Sequence, residues 1–171
     1  MKHIGLIFLF YAFIQYYSDA QNLPVDSITK KITWTETVPM PKLKKNDIYL
    51  KAYNWGTSNK YTVKKLDKPN GIFACLAKID VTYPGATSGL TDKGYVQFLV
   101  TITCKDGKYI YTITDLEHFG DKGKGNGGKL EAQTAACGKL ILPNHGWTKI
   151  KQETEKKMPA FIDSLKSGMA K

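Results

Sequence analysis

The stretch KGYVQFLVTITCKDGKYIYTITDLEHF, Lys93 to Phe119, decides the fold. Asp106-Gly107 separates two runs rich in Val, Ile, Thr, Tyr and Phe. Asp-Gly in that setting signals a two-residue hairpin turn, because a type I′ turn needs positive φ at both central positions. A two-residue turn sets the register: Lys105 opposite Lys108, Cys104 opposite Tyr109, Ile102 opposite Tyr111, Val100 opposite Ile113. Side chains alternate between faces along a strand. One face therefore collects Val96, Phe98, Val100, Ile102, Cys104, Tyr109, Tyr111 and Ile113, and is expected against a core. The other collects Gln97, Leu99, Thr101, Thr103, Ile110, Thr112, Thr114 and Leu116, a mixed set that suits a half-solvated antiparallel sheet. A lone hairpin is marginal in water, so the flanking chain must add strands and a cover.

It does so on both sides. Lys31–Val38 alternates as a strand, with Ile32, Trp34, Glu36 and Val38 opposite Thr33, Thr35 and Thr37, and Met40-Pro41 ends it. A helix opening at Lys44 or Asn46 places Ile48, Tyr49, Ala52, Tyr53 and Trp55 at helical spacing and stops at Gly56 with Ser58-Asn59. Tyr61–Leu66 reads as a second strand, and Lys68-Pro69-Asn70-Gly71 as a turn. Ile72–Tyr83 reads as a third strand, with Phe73, Cys75, Ala77, Ile79 and Val81 on one face and Ile72, Ala74, Leu76, Lys78 and Asp80 on the other. Pro84–Asp92 is a loop of small residues. Near the C-terminus, Trp147, Ile150, Thr154, Met158, Phe161, Ile162, Leu165 and Met169 recur at helical spacing, with Pro159 expected to kink or divide the helix. The expected fold is α+β with two layers: one antiparallel sheet of about five strands and helices on one face, in the order β-α-β-β-β-β-α.

The 171 residues suffice for one domain with a real core. The formal net charge is +10, and all 25 basic residues are lysines. Arginine supplies the planar fork that reads phosphate and guanine edges, so its absence argues against nucleic acid as a partner. Met1–Ala20, MKHIGLIFLFYAFIQYYSDA, has Lys2, an apolar run from Ile4 to Ile14, and small residues at Ser18 and Ala20. This is the layout of a secretory signal peptide cleaved between Ala20 and Gln21. The apolar run is short for a membrane span. The expected organisation is a signal peptide (1–20), a flexible leader (21–30) and a single domain (31–169). The product is expected to be periplasmic or extracellular, soluble after cleavage and without a transmembrane span. Export permits disulfides. Cys75 and Cys104 fall on inward strand positions and read as small buried hydrophobes, with a bridge between them as the alternative. Cys137 leaves the count odd.

Several pieces together resemble a known family: Val38-Pro39 closing a strand, Tyr53-Asn54-Trp55 ending a helix, a turn with Asn-Gly, and Lys105-Asp106-Gly107-Lys108-Tyr109-Ile110-Tyr111-Thr112-Ile113-Thr114. The pattern resembles the domain of unknown function 4468, which has a fold like the TATA-binding protein and occurs in exported proteins of Bacteroidota. It covers about residues 32–116 and, more loosely, the final helix. The resemblance implies a fold and an origin and carries over no activity, since a shared fold does not imply a shared function.

The motifs that could carry chemistry are few. Gly120–Gly128, GDKGKGNGG, matches G-x-G-x-x-G through Gly123, Gly125 and Gly128, and G-x-x-x-x-G-K through Gly123 to Lys129. The phosphate loop needs Ser or Thr after the lysine, where Leu130 stands, and the dinucleotide loop needs a βαβ unit and an acidic residue where Thr148 stands. The segment reads as a mobile surface loop, and no cofactor or metal is expected. Glu117, His118 and Asp121 could serve a hydrolase, and Cys137 with His145 could form a nucleophile–base pair. Packing and solvated roles are the expectation for all of them.

The expected function is therefore a non-enzymatic binding or protein-interaction domain of the cell envelope. Its candidate partner face is the uncovered side of the sheet, with Leu76, Lys78, Leu99, Thr101, Ile110, Thr112 and Thr114. The alternatives are a hydrolase using the His118 region, and lysine-mediated adhesion to anionic polymers or lipid headgroups.

Overall fold

The computed structural model describes residues 23–171 apart from residue 88. The segment read as a signal peptide lies outside the described residues. The elements are β1 (Trp34–Pro39), α1 (Lys45–Ser58), β2 (Thr62–Asp67), β3 (Ile72–Pro84), β4 (Thr91–Lys105), β5 (Lys108–Gly120), β6 (Gly128–Lys129) and α2 (Asn144–Ala170). The fold is α+β: one open antiparallel sheet in the order β1-β5-β4-β3-β2, with β6 pairing the far end of β5, and two helices on one face. The sixth strand, β6, lies in the glycine-rich region, where sequence pattern shows no strand.

The hairpin has the expected register: Lys105 lies opposite Lys108, Cys104 opposite Tyr109, Ile102 opposite Tyr111 and Val100 opposite Ile113. Its turn departs from type I′, since Gly107 has φ 75° and Asp106 has no positive φ. Neighbouring contacts hold it. Gly107 N donates to Leu43 O, Met40 N donates to Gly107 O, and the Asp106 carboxylate accepts from Lys45 N in the first turn of α1. The aspartate thus occupies a free donor at a helix N-terminus.

One expectation about the faces fails. Leu116 is buried at 0% exposure, not on the outer face. Between the pairs Leu99–Thr114 and Gln97–Glu117, β5 carries one more residue than β4. Asp115 takes up the extra residue at φ 55°, a conformation that Asp tolerates better than most non-glycine residues. Its carboxylate pairs with Lys31. Past this bulge the alternation inverts, so Leu116 and His118 point inward while Glu117 and Phe119 point outward.

The inward face of the sheet is closed by an aromatic knot. Phe161 of α2 meets Phe98 edge-on at 4.8 Å between centroids, and Trp55 of α1 meets Tyr61 at 5.2 Å and Phe161 at 6.2 Å. Two glycines let the layers approach. A Cβ at Gly56 would lie 2.3 Å from the Phe73 ring, and one at Gly168 would lie 2.3 Å from Trp55. Every α2 position named from the sequence is buried except Ile162, which is half-buried. Pro159 does not divide the helix, which is continuous from Asn144 to Ala170. Pro159 is exposed, so its ring sits on the solvent side of the helix, away from the core.

Cys75 and Cys104 are buried free thiols, not a disulfide, and burial pushes them up to about 12 and about 11. Cys75 pairs across the sheet with Val100, and Cys104 N donates to Gly71 O in the turn between β2 and β3. Within the leader, Thr33 N donates to Pro24 O, and the Asp26 carboxylate accepts from Ile28 N and Thr29 N.

The bulge makes a direct prediction. Asp115→Val forces a β-branched residue into the left-handed region and should lower stability by about 1–2 kcal/mol. Asp115→Gly relieves the backbone cost, loses only an exposed ion pair, and should stay within about 1 kcal/mol of the native chain. Urea-unfolding midpoints of the two variants check this. Equal losses would show that φ at residue 115 is not the constraint.

The uncovered sheet face as candidate functional site

The helices cover one side of the sheet only. On the other side, cross-strand register assembles outward side chains into rows. One row is Thr37, Ile110, Thr103, Ile72 and, at the edge, Asp67. The next is Thr35, Thr112, Thr101, Ala74 and, at the edge, Lys65. A third is Thr33, Thr114, Leu99, Leu76 and Thr62. Their threonines are half-exposed or exposed, and the hydroxyls of Thr33 and Thr114, and of Thr35 and Thr112, each lie 3.4 Å apart. Across β1, β5, β4 and β3 these rows carry no charged side chain.

Charge returns at both ends. Lys105 and Lys108 face each other at the hairpin turn. Beyond the bulge a row of Lys129, Glu117, Gln97 and Lys78 crosses the sheet, followed by Phe119, Tyr95 and Asp80. Tyr95 and Phe119 stack at 5.3 Å with their planes 18° apart, and the Lys78 ammonium sits 4.9 Å over the Tyr95 ring. Because β2 ends at Thr62 opposite Leu76 while β3 runs on, the corner opens into a groove of about 420 Å³, whose lining includes Tyr61, Thr62, Leu76, Lys78, Tyr95 and Gln97.

All the residues chosen from the sequence for this face lie on it and share it: Leu76, Lys78, Leu99, Thr101, Ile110, Thr112 and Thr114. The choice missed Thr33, Thr35 and Thr37, which extend the rows onto β1. The repeated Thr-x-Thr of KITWTETV, TIT and TIT held the signal, but only the β1–β5 pairing shows that the repeats adjoin. It also missed Tyr95 and Phe119, the latter because the bulge turns it outward.

The alternative reactive groups do not converge. His118 is fully buried, edge-on to Tyr83 and Trp147, and its Nδ1 accepts from Gly127 N at 3.1 Å. Nδ1 therefore carries no proton, and the protonated Nε2 lies against Gly94, where a Cβ would come within 2.7 Å of it, and finds no acceptor. Glu117, its neighbour in sequence, points to the opposite face and is exposed. Cys137 packs beside Gly125, and His145 is exposed at the start of α2. Among the described residues, no three His, Cys, Asp or Glu side chains gather at metal-binding range. The glycine-rich segment is tied to the sheet: β6 pairs with β5, Gly127 bonds His118, and Asn126 accepts from Gly120 N. A groove of about 520 Å³ lies between α1 and the end of α2 beside Trp55, Asn54 and Gly168, and no histidine or cysteine lines it.

Comparison with known proteins places this arrangement. A family model described as a domain of unknown function (DUF4468) with TBP-like fold matches residues 34–119, half of the chain. A DUF4468 family protein from Bacteroides ovatus superposes with a TM-score of 0.64 at 17% identity, covering 86% of this chain and 91% of that one. A TBP-like protein from Parabacteroides distasonis superposes with a TM-score of 0.54 at 18% identity, covering 84% of this chain and 97% of that one. At these identities the likeness concerns the fold. No curated protein matches the chain.

The buried corner gives a pH prediction. Burial holds His118 at about 4, below its ordinary 6.5. In the unfolded chain the imidazole protonates near 6.5, and in the folded chain only near 4. The stabilising contribution is complete above about pH 6.5 and is lost as pH falls toward about 4, on the order of 3 kcal/mol in all. The urea midpoint of the native chain should fall more steeply over that window than that of His118→Gln. Parallel slopes would refute the assignment.

Proposed function

Because the chain belongs to the DUF4468 family, whose description gives a fold and no activity, we propose its function from the uncovered face: a non-enzymatic binding domain of the cell envelope. The observation that carries this reading is the block of uncharged rows. A chain of formal net charge +10 leaves the broad centre of its exposed sheet free of lysine and carboxylate alike. Desolvating a charged surface is costly, whereas threonine hydroxyls and aliphatic side chains desolvate cheaply against a partner that meets their hydrogen bonds. The hydrolase alternative has its proposed base, His118, sealed from solvent. The lysine-adhesion alternative calls for cations within the contact surface, and here they stand at its rims.

Export is the second part of the proposal. It rests on the charged start, apolar run and small-residue site of Met1–Ala20. No helix among the described residues is long and apolar enough to cross a membrane.

Photo-crosslinking residues at Thr101 and Thr112 in the native cell should each yield a reproducible adduct, while one at Lys156, exposed on α2, should not. Absence of adducts at both threonines would overturn the docking face. N-terminal sequencing of the protein from the cell exterior should begin at Gln21, and an intact Met1 start would overturn export.

A further inference from the structure

We infer that the uncovered face takes a neutral glycan chain; this rests on the binding-face reading and names its ligand. The first argument is charge. Any polymer laid along β1, β5, β4 and β3 covers the Thr37, Thr35 and Thr33 rows, which present hydroxyls and aliphatic groups and no ion. A polyanion would bury its charges there without partners, which is costly. The lysines that could pair with them stand outside that block, at Lys105 and Lys108 on one side, Lys78 and Lys129 on the other, and Lys65 on the β2 edge, where Asp67 already pairs with it. A second copy of this chain would bring two molecules of formal charge +10 face to face.

The second argument is the chemistry of the rows. Each threonine offers one donor, two acceptor lone pairs and a methyl group. Strands about 4.8 Å apart and side chains about 7 Å apart along a strand repeat that set in two directions. A pyranose chain presents the complementary surface: hydroxyls around each ring edge and C–H groups on each ring face. Leu76, Leu99, Ile72 and Ile110 break the hydroxyl array with apolar patches that suit those faces. A protein helix would instead need one or two deep pockets for large apolar anchors, and these rows have none.

The third argument is shape. The face is open along the strands, as a chain ligand needs, and is bounded at the far end by the Tyr95–Phe119 pair. Beside that pair the groove of about 420 Å³ adds the Gln97 amide, the Thr62 hydroxyl and the Tyr61 ring. Lys60 and Lys78 also line it, and amide, hydroxyl, ammonium and aromatic groups in one groove form a site for one sugar at the end of a chain.

The test is affinity electrophoresis of the full mature chain in gels cast with laminarin, xyloglucan, galactomannan or dextran, and, as charged comparators, polygalacturonate or heparin. The expected result is retardation by at least one neutral polymer, unchanged on adding salt. Thr101→Val and Thr112→Val, which keep shape and remove a hydroxyl, should each weaken that binding about tenfold. Tyr95→Ala should weaken it too, while Lys105→Ala leaves it unchanged. No retardation by any neutral polymer overturns the inference, as does salt-sensitive retardation by the polyanions alone. A dimer in solution that Thr112→Lys dissociates makes the occupant a second copy and overturns it as well. Protein adducts at Thr101 and Thr112 without retardation leave the binding face standing and remove the glycan. Neither adducts nor retardation removes both.

Discussion

The pleat of the β4–β5 hairpin is the constraint from which the rest follows. Once Asp106-Gly107 sets Lys105 opposite Lys108, every residue on two long strands is assigned to one face or the other. A slip of one residue would exchange Phe98, Val100, Ile102, Tyr109, Tyr111 and Ile113 for Leu99, Thr101, Thr103, Ile110, Thr112 and Thr114. The helices could not bury that second set without leaving hydroxyls unpaired. The turn is held from outside as well, by Leu43 O, Met40 N and Lys45 N, so the segment after β1 and the start of α1 both read the same register. Core and outer face are two consequences of one pairing.

Asp115 then changes that assignment once. Without the extra residue, Leu116 and His118 would face solvent, and Glu117 and Phe119 the core. With it, Leu116 adds to the core and His118 fills a corner between Tyr83 and Trp147. From there His118 holds Gly127 and with it the start of β6. The glycine is needed, since a Cβ at residue 127 would lie 2.3 Å from the Trp147 ring. On the outer side the same shift brings Phe119 beside Tyr95 and Glu117 beside Gln97. One left-handed residue thus both ties the glycine-rich segment to the sheet and ends the uncharged rows.

What the sequence discloses divides along the same line. The alternation in β4, the apolar run and later alternation in β3, and the 3.6-residue spacing of Trp147, Ile150, Thr154, Met158, Phe161, Leu165 and Met169, are local signals, and they give the strands, the helix and the core-facing residues. The face chosen from the sequence is legible for the same reason. The bulge leaves no local mark, because Thr114-Asp115-Leu116 alternates as well as any strand and only the pairing with β4 reveals the extra residue. β6 is two residues long and glycine-led, below what any periodicity can show. The continuity of α2 through Pro159 depends on which side of the helix the proline occupies, a tertiary fact. The extension of the threonine rows onto β1 likewise needs strand order, since β1 and β5 adjoin although α1, β2, β3 and β4 lie between them in sequence.

Open sheets usually interact through their edges, and here the edges are obstructed. Pro39 removes a donor from β1, and Lys64 and Lys65 stand at a register shift in β2. Where β2 stops, α2 runs along β3, and Lys157 donates to Asp80 O on the exposed edge. Pairing by strand addition is thus discouraged on both sides, and the face is left as the broad unobstructed surface of the sheet. Leucine throughout that face would make it adhesive toward any apolar surface, and lysine would keep every partner hydrated and distant. Threonine avoids both outcomes. Its methyl group packs on the pleat and favours the strand, while its hydroxyl binds water until a ligand with matching donors and acceptors displaces it. A threonine face between charged rims therefore stays wet in the free protein and can dry selectively, which is the property a binding surface for an uncharged, hydroxyl-rich chain requires.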